Sequence, residues 1–375
     1  MLSPATETEL AECIADAAGP VRIIGGGTRP IGRPVAGEAL SVAGLNGISL
    51  YEPGALTIVA GAGTPLAEIE AALAAENQRL PFEPMDHRAL LGTDGEPTIG
   101  GVVAANVSGP RRIQAGACRD SLIGVRFVDG AGTMLKNGGR VMKNVTGYDL
   151  VKLLAGSYGT LGVLSEVAFK VLPDVEAQAS VVLSGLGPHQ AVEAMAMALS
   201  SPFEVSGAAH LPGAGRTVLR LEGFTASVAY RADRLVDTLK MFGAAEVQSD
   251  GEAVRAEWRA IRDVTGFADL PGDVWRISVK PSDGPEIAAR AGAEVMFDWG
   301  GGLIWAQVDE GTDLRARLGA FAGHATLIRA SADTRSRLAV FQPEAAGIAA
   351  VSHGLRKQFD PRGILNAGLM GGATE

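Results

Sequence analysis

At 375 residues the chain exceeds the size at which one hydrophobic core is usual, so two domains are expected. Apolar residues make up 47%, glycines number 50, and a net charge of −9 comes from interspersed residues of both signs, which fits a globular protein rich in tight turns and argues against a nucleic-acid partner. Two cysteines, Cys13 and Cys118, make a disulfide framework improbable, offer no metal-ligand spacing and point to a reducing compartment.

From the N-terminus, Glu7 to Ala18 reads as an amphipathic helix and Val21–Ile24 as a short strand running into Gly25-Gly26-Gly27. Leu56–Ala60 is a second strand. Thr64-Pro65 then opens a helix with Thr64 as the expected cap and Leu66, Ile69 and Leu73 as its buried face. Val125–Val128 and Met134–Leu135 flank Asp129-Gly130-Ala131-Gly132, a hairpin signal. Tyr148–Leu154 reads as a short helix and Gly162–Leu172 as a strand stopped by Pro173. Short strands with few long helices fit an α+β domain better than a doubly wound one.

Beyond Pro173 the order becomes strand Gln178–Leu183, helix Pro188–Leu199, strands Glu204–His210 and Thr217–Glu222, helix Ala226–Phe242 and strand Glu246–Gln248. A helix from Glu252 to Val264 leads to a second round: strand Val274–Val279, helix Pro285–Ala291, strands Glu294–Asp298 and Leu303–Val308, helix Thr312–Phe321 and strand Thr326–Arg329. That is βαββαβ twice, which predicts one antiparallel sheet with helices on one face. No apolar run approaches the length of a membrane span, and no cationic segment leads into an apolar stretch at the N-terminus. The expected location is therefore cytoplasmic, or peripheral to the inner membrane through partner subunits.

Two glycine-punctuated blocks carry the chemistry. The first is Gly25-Gly26-Gly27-Thr28. The second starts at Thr98-Ile99-Gly100-Gly101, continues through Asn106, Gly109, Gly116, Arg119 and Asp120, and ends at Gly159-Thr160-Leu161-Gly162 before Val163. Glycines after a strand let successive N–H groups converge on a phosphate, and the Thr28 hydroxyl can add a bond. Two such blocks suggest a long anionic cofactor in an extended groove. Asn106 reads either as a contact to that cofactor or as a turn residue, Arg119 either as a counter-charge or as half of a surface ion pair. The Val163 backbone is placed to pair with an adenine. The spacing is not that of a Rossmann fingerprint, so a nicotinamide site is disfavoured.

The same blocks, with Lys143-Asn144-Val145-Thr146-Gly147-Tyr148-Asp149-Leu150, Gly156-Ser157-Tyr158 and Phe359-Asp360-Pro361-Arg362-Gly363-Ile364-Leu365-Asn366, resemble the flavin-binding fold of the vanillyl-alcohol oxidase/p-cresol methylhydroxylase (PCMH) type along nearly the whole chain. Leu270-Pro271-Gly272-Asp273-Val274-Trp275-Arg276-Ile277-Ser278 and Phe297-Asp298-Trp299-Gly300-Gly301-Gly302 are similar to the FAD-binding subunits of bacterial glycolate oxidases. The resemblance implies an α+β fold: a two-part PCMH-type FAD-binding domain over residues 1–173, an α/β cap with an antiparallel sheet over 174–340, and a C-terminal segment over 341–375 that returns to the first domain, with Asn366 within reach of the flavin ring. It also implies FAD, a small 2-hydroxy-acid substrate, and assembly with a second FAD-binding dehydrogenase subunit and an iron–sulfur subunit.

Some relatives attach flavin through a histidine in the first loop. Here that neighbourhood reads Gly27-Thr28-Arg29-Pro30, and Cys118 reads as a buried thiol, so FAD is expected to be non-covalent. The dehydrogenase subunits of the group carry closely spaced histidines for metal and substrate. The five histidines here, His87, His189, His210, His324 and His353, are all far apart in sequence. Two cysteines cannot supply the four thiolates of an iron–sulfur cluster. Two readings stay open: a subunit whose own flavin oxidises glycolate to glyoxylate, or an FAD-binding structural or electron-relay subunit whose partner performs the oxidation. The turn around Trp299 reads either as a docking surface or as a tight turn around a core tryptophan.

Overall fold

The computed structural model describes residues 1–139 and 147–371, so the Lys143–Thr146 part of the flavin-type motif lies outside the described residues. The chain divides into two units: residues 1–108, 116–174 and 343–375 form the first, and residues 109–115 and 175–342 the second. The segment Gly109–Ala115, read from the sequence as part of the first domain, belongs to the second unit.

In the first unit, helix Glu7–Ala15 starts where the Thr6 hydroxyl accepts from Glu9 N–H, and it buries Leu10 and Ile14. These join Val21, Leu40, Val128, Val163, Ile364 and Leu365 in one core. Strands Val21–Ile24 and Glu38–Ser41 pair in parallel, and Leu365 of the returning tail bridges to Val21. The five strands Ile48–Glu52, Thr57–Gly61, Val163–Lys170, Leu122–Val128 and Met134–Gly138 form, in that order, a fully antiparallel sheet. In the hairpin turn, Asp129 Oδ1 accepts from Ala131 and Thr133 N–H at 2.9 and 2.8 Å. The tail is fastened by Arg362, which donates to the carbonyls of Ala15, Ala17 and Gly130. Thr64 does not cap the helix Leu66–Ala75. It is fully buried, and its hydroxyl donates to Gly61 O while accepting from Gly47 N–H, closing the turn before the helix.

The second unit is one eight-stranded antiparallel sheet. Its order is Ala245–Gln248, Ala177–Ser184, Arg216–Gly223, Gly207–Leu211, Glu294–Asp298, Leu303–Val308, Asp273–Val279 and Gly323–Arg329. The two βαββαβ halves meet where His210 pairs with Phe297. The helix expected over Thr312–Phe321 is confined to Leu314–Leu318, because Asp313 caps it and Gly319 ends it at φ 63°.

Strand alternation corrects the expectation of helices on a single face. Ala179, Val181 and Leu183 enter a core with helices Pro188–Ser200 and Thr225–Leu239. Ser180 faces the other way. There it accepts from Trp258 Nε1 at 3.0 Å, and Trp258 lies on the connecting helix Gly251–Arg262. Arg220, 1% exposed, is on this same face: its guanidinium lies 4.6 Å from the Trp258 ring centroid and donates to Ser206 Oγ at 3.1 Å. Nearby, Arg111 of the Gly109–Ala115 segment pairs bidentately with Glu222 at 2.8 and 2.9 Å, both side chains almost wholly buried. Glu222→Gln removes the anion and leaves two buried guanidinium groups beside it. The expected cost is about 3–5 kcal/mol by urea denaturation; a loss below about 1 kcal/mol would show that the pair does not anchor the segment.

Candidate cofactor-binding site

The Gly25–Thr28 loop leaves strand Val21–Ile24 and lies against the Gly95–Thr98 segment. A Cβ at Gly26 would sit 1.5 Å from the Glu96 carbonyl oxygen, one at Gly95 would sit 1.7 Å from the Gly26 carbonyl oxygen, and one at Gly25 would sit 2.6 Å from Thr98 Oγ1. Gly26 and Gly95 are required by backbone-to-backbone contact, and Gly25 by the Thr98 side chain. Gly27 differs: its φ is +71°, no atom lies within 4 Å of where its Cβ would be, and it is exposed. Among the described residues, no acceptor takes the backbone N–H groups of Gly26, Gly27 or Thr28. A run of unpartnered N–H groups after a strand forms a nest for an anion.

The second block is built differently. The Gly100 N–H donates to Ala62 O at 2.8 Å, and the Gly101 N–H donates to the Thr98 hydroxyl, which caps helix Ile99–Ala104. These two glycines therefore set the position of a wall and lend it no free donor. Asn106, at φ 48°, accepts from Arg119 N–H at 3.1 Å. Arg119 and Asp120 are exposed, 3.9 Å apart, and joined by Lys152, which donates to Arg119 O at 2.5 Å. Gly116 packs on Asp120 in the same surface knot. Gly109 belongs to the second unit, where its carbonyl accepts from Trp299 Nε1 at 3.0 Å.

Asn366 joins three segments of the first unit. Buried at 4% exposure, its Oδ1 accepts from Ile23 N–H and its Nδ2 donates to Tyr158 O, both at 2.8 Å. This places Gly159, whose Cβ would lie 3.1 Å from Asn366 Nδ2, beside the strand that feeds the first loop. Thr160 donates to Ser157 O, and Gly162 abuts the Phe127 ring. Val163 pairs with Val128, while the ladder with Thr57–Gly61 stops at Glu166, so Val163 and Leu164 lie beyond that strand's register.

Arg29 is the residue the sequence reading passed over. Its Nε and Nη2 are shut off from solvent with no hydrogen-bond partner, and burial pushes its pKa down to about 10. The available signal was a cation directly after a Gly-Gly-Gly-Thr loop. Cys118 is wholly buried and burial pushes its thiol up, which removes it as a nucleophile. His87 is also buried, with Nδ1 3.2 Å from Met85 O. In the second unit, Trp299 is 9% exposed, and the Arg112 and Arg276 guanidinium groups lie 4.5 and 4.9 Å from its ring centroid. His324 is held below the usual histidine range by burial and by these two cations.

Free donors, a cation with two buried unpartnered nitrogens and close-packed glycine loops suit a phosphate-bearing cofactor, and similarity to known proteins identifies it. Residues 1–138 match the FAD binding domain family FAD_binding_4. The glycolate oxidase subunit GlcE of Escherichia coli (strain K12) is 38% identical over 343 residues, covering 91% of this chain and 89% of that protein. The chain belongs to the GlcE family. Shorter stretches of this GlcE-family chain match the glycolate oxidase subunit GlcD of Bacillus subtilis, at 36% identity over 28% of this chain and 21% of that one. They also match a D-lactate dehydrogenase of Archaeoglobus fulgidus, at 31% over 42% and 34%. The fold is shared with alkyldihydroxyacetonephosphate synthase, with a TM-score of 0.68 at 16% identity over 97% of this chain and 76% of that structure. The architecture is thus that of an FAD-binding α+β protein of the PCMH type.

The residues fit FAD, and Gly27 is the position that tests the fit. A side chain at Gly26 would break the loop whatever its charge. Gly27→Asp and Gly27→Asn carry the same backbone strain and nearly the same volume and differ in charge. At about 5 Å from a phosphate, the added repulsion is about 1–3 kcal/mol across the surface range of dielectric. Gly27→Asp is therefore expected to bind FAD about 5- to 100-fold more weakly than Gly27→Asn in a flavin-fluorescence titration. Equal affinities would place the phosphates elsewhere.

Proposed function

We propose that the chain is the FAD-holding subunit of an assembly that oxidises glycolate or a similar 2-hydroxy acid to the 2-oxo acid and passes the electrons to a partner subunit. The observation that carries this reading is the 38% identity to GlcE, which spans nearly the full length of both chains rather than the FAD domain alone. The second unit is thus shared along with the cofactor loops. Bound FAD would supply the two-electron acceptor. The chain's own residues would hold it: the N–H groups of Gly26, Gly27 and Thr28 and the hydroxyl of Thr28 at the pyrophosphate, Arg29 beside them, and Gly159–Val163 along the adenosine half. Asn366 keeps these segments together through Ile23 and Tyr158. Attachment is non-covalent in this reading, because the first loop offers no histidine and the Cys118 thiol is buried.

The relay version of this function is favoured by the histidines. All five are far apart in sequence, and the buried pair His87 and His210 are each bonded to main-chain carbonyls of their own neighbourhood. Substrate oxidation then falls to a second flavin subunit and onward transfer to an iron–sulfur subunit, since two cysteines cannot ligate a cluster. No helix among the described residues is long and apolar enough to cross a membrane. The proposed location is cytoplasmic, or peripheral to the inner membrane through partner subunits.

Anaerobic mixing with glycolate tests both parts. The complex co-purified from the native host is expected to bleach at 450 nm, and the isolated FAD-loaded chain is expected to stay yellow. Bleaching of the isolated chain would move substrate oxidation onto its own flavin. An unbleached complex would remove glycolate-type acids as the substrate.

A further inference from the structure

Arg29 is an ionised side chain with an incomplete environment. Arginine keeps its proton at neutral pH, and its guanidinium has donors to place and no acceptor. Nε and Nη2 are both buried and unpartnered. Three titratable groups bear on it: Asp86, Tyr158 and Cys118. The Asp86 carboxylate is engaged by Arg88, which donates to it from Nε at 3.1 Å and from Nη2 at 2.8 Å. Burial raises the Cys118 thiol, so it supplies no anion. A Cβ on Gly101 would lie 3.1 Å from Arg29 Nη1, so glycine at that position is what leaves the guanidinium room against the second block.

A cation whose Nε and Nη2 are both buried without an acceptor is destabilising, which makes its retention a sign that a counter-anion belongs there. The three residues immediately upstream, Gly26, Gly27 and Thr28, carry the unpartnered N–H groups of the first loop. The free N–H groups of Gly26, Gly27 and Thr28 and the Arg29 Nε and Nη2 are all donors.

We infer that Arg29 is the anion-pairing residue of the FAD site, donating from Nε and Nη2 to a negatively polarised oxygen of the bound cofactor. This rests on the FAD-binding reading above and not on the identity of the hydroxy acid. Two oxygens of FAD have that chemistry: those of the pyrophosphate, and the C2 carbonyl of the isoalloxazine, whose charge grows when the ring is reduced.

The test uses the full chain stripped of flavin, with Arg29→Met and Arg29→Lys. Removing a charge-assisted hydrogen bond weakens FAD binding by roughly 10- to 100-fold in Arg29→Met, and the retained charge keeps Arg29→Lys closer to wild type. If the partner is the pyrophosphate, FAD is weakened, riboflavin is not, and the midpoint potential is unchanged. If the partner is the ring, both ligands are weakened and the potential becomes more negative. Either arm supports the inference. The apoprotein supplies a readout of opposite sign: deleting an unpaired buried charge raises the melting temperature of flavin-free Arg29→Met, whereas deleting a merely structural side chain lowers it. A Met variant that binds FAD as tightly as wild type at an unchanged potential, or whose apoprotein melts lower, overturns the assignment. Should Arg29→Met not fold, an Arg29→Lys apoprotein that binds FAD with unchanged affinity and potential overturns it equally. A wild-type chain that takes no FAD would instead sink the cofactor reading itself.

Discussion

The arrangement of the first unit depends on one contact in which two backbones meet with no side chain between them. A Cβ on Gly26 would lie 1.5 Å from the Glu96 carbonyl oxygen, and one on Gly95 1.7 Å from the Gly26 carbonyl oxygen. Any substitution at either position must separate the loops. The contact holds the loop after Val21–Ile24 in a conformation whose own N–H groups make no internal bonds, a state that is poor for an isolated turn and apt for an anion. Asn366 completes the frame, because a C-terminal side chain accepts from Ile23 and donates to Tyr158. The first loop and its supports are thus assembled from three distant parts of the sequence.

The second unit follows a different logic. Three of its buried polar contacts tie distant segments together: Arg111 with Glu222, Arg220 with Ser206 and stacked on Trp258, and Trp299 with the Gly109 carbonyl. Buried pairs of this kind add less net stability than hydrophobic packing of equal volume and are costly to break one-sidedly. Their effect here is to fix the Gly109–Ala115 segment in the second unit although its flanks on both sides belong to the first.

Much of this was legible in the residues. Glu294–Asp298 and Leu303–Val308 appear with the bounds their alternation gives, and both βαββαβ halves were readable from turn residues and β-branched runs. What failed was three-dimensional in origin. Thr64 has the chemistry of a cap, yet burial commits its hydroxyl to Gly61 and Gly47. The helix Gly251–Arg262 was foreseen, but its face is decided by Trp258 meeting Ser180 across the sheet. Gly100 and Gly101 read like the first loop because glycine composition does not distinguish steric clearance from free donors. Arg29 was missed because a single arginine after a glycine loop has no signature until its burial and lack of partners are seen.

The central claim, that this GlcE-family chain holds one non-covalent FAD in its first unit, is tested most directly by flavin stoichiometry. The purified chain, titrated with FAD, freed of excess and precipitated with acid, is predicted to release about one FAD per polypeptide into the supernatant. No bound flavin after saturation, or fluorescence that stays with the denatured polypeptide on a gel, would contradict it.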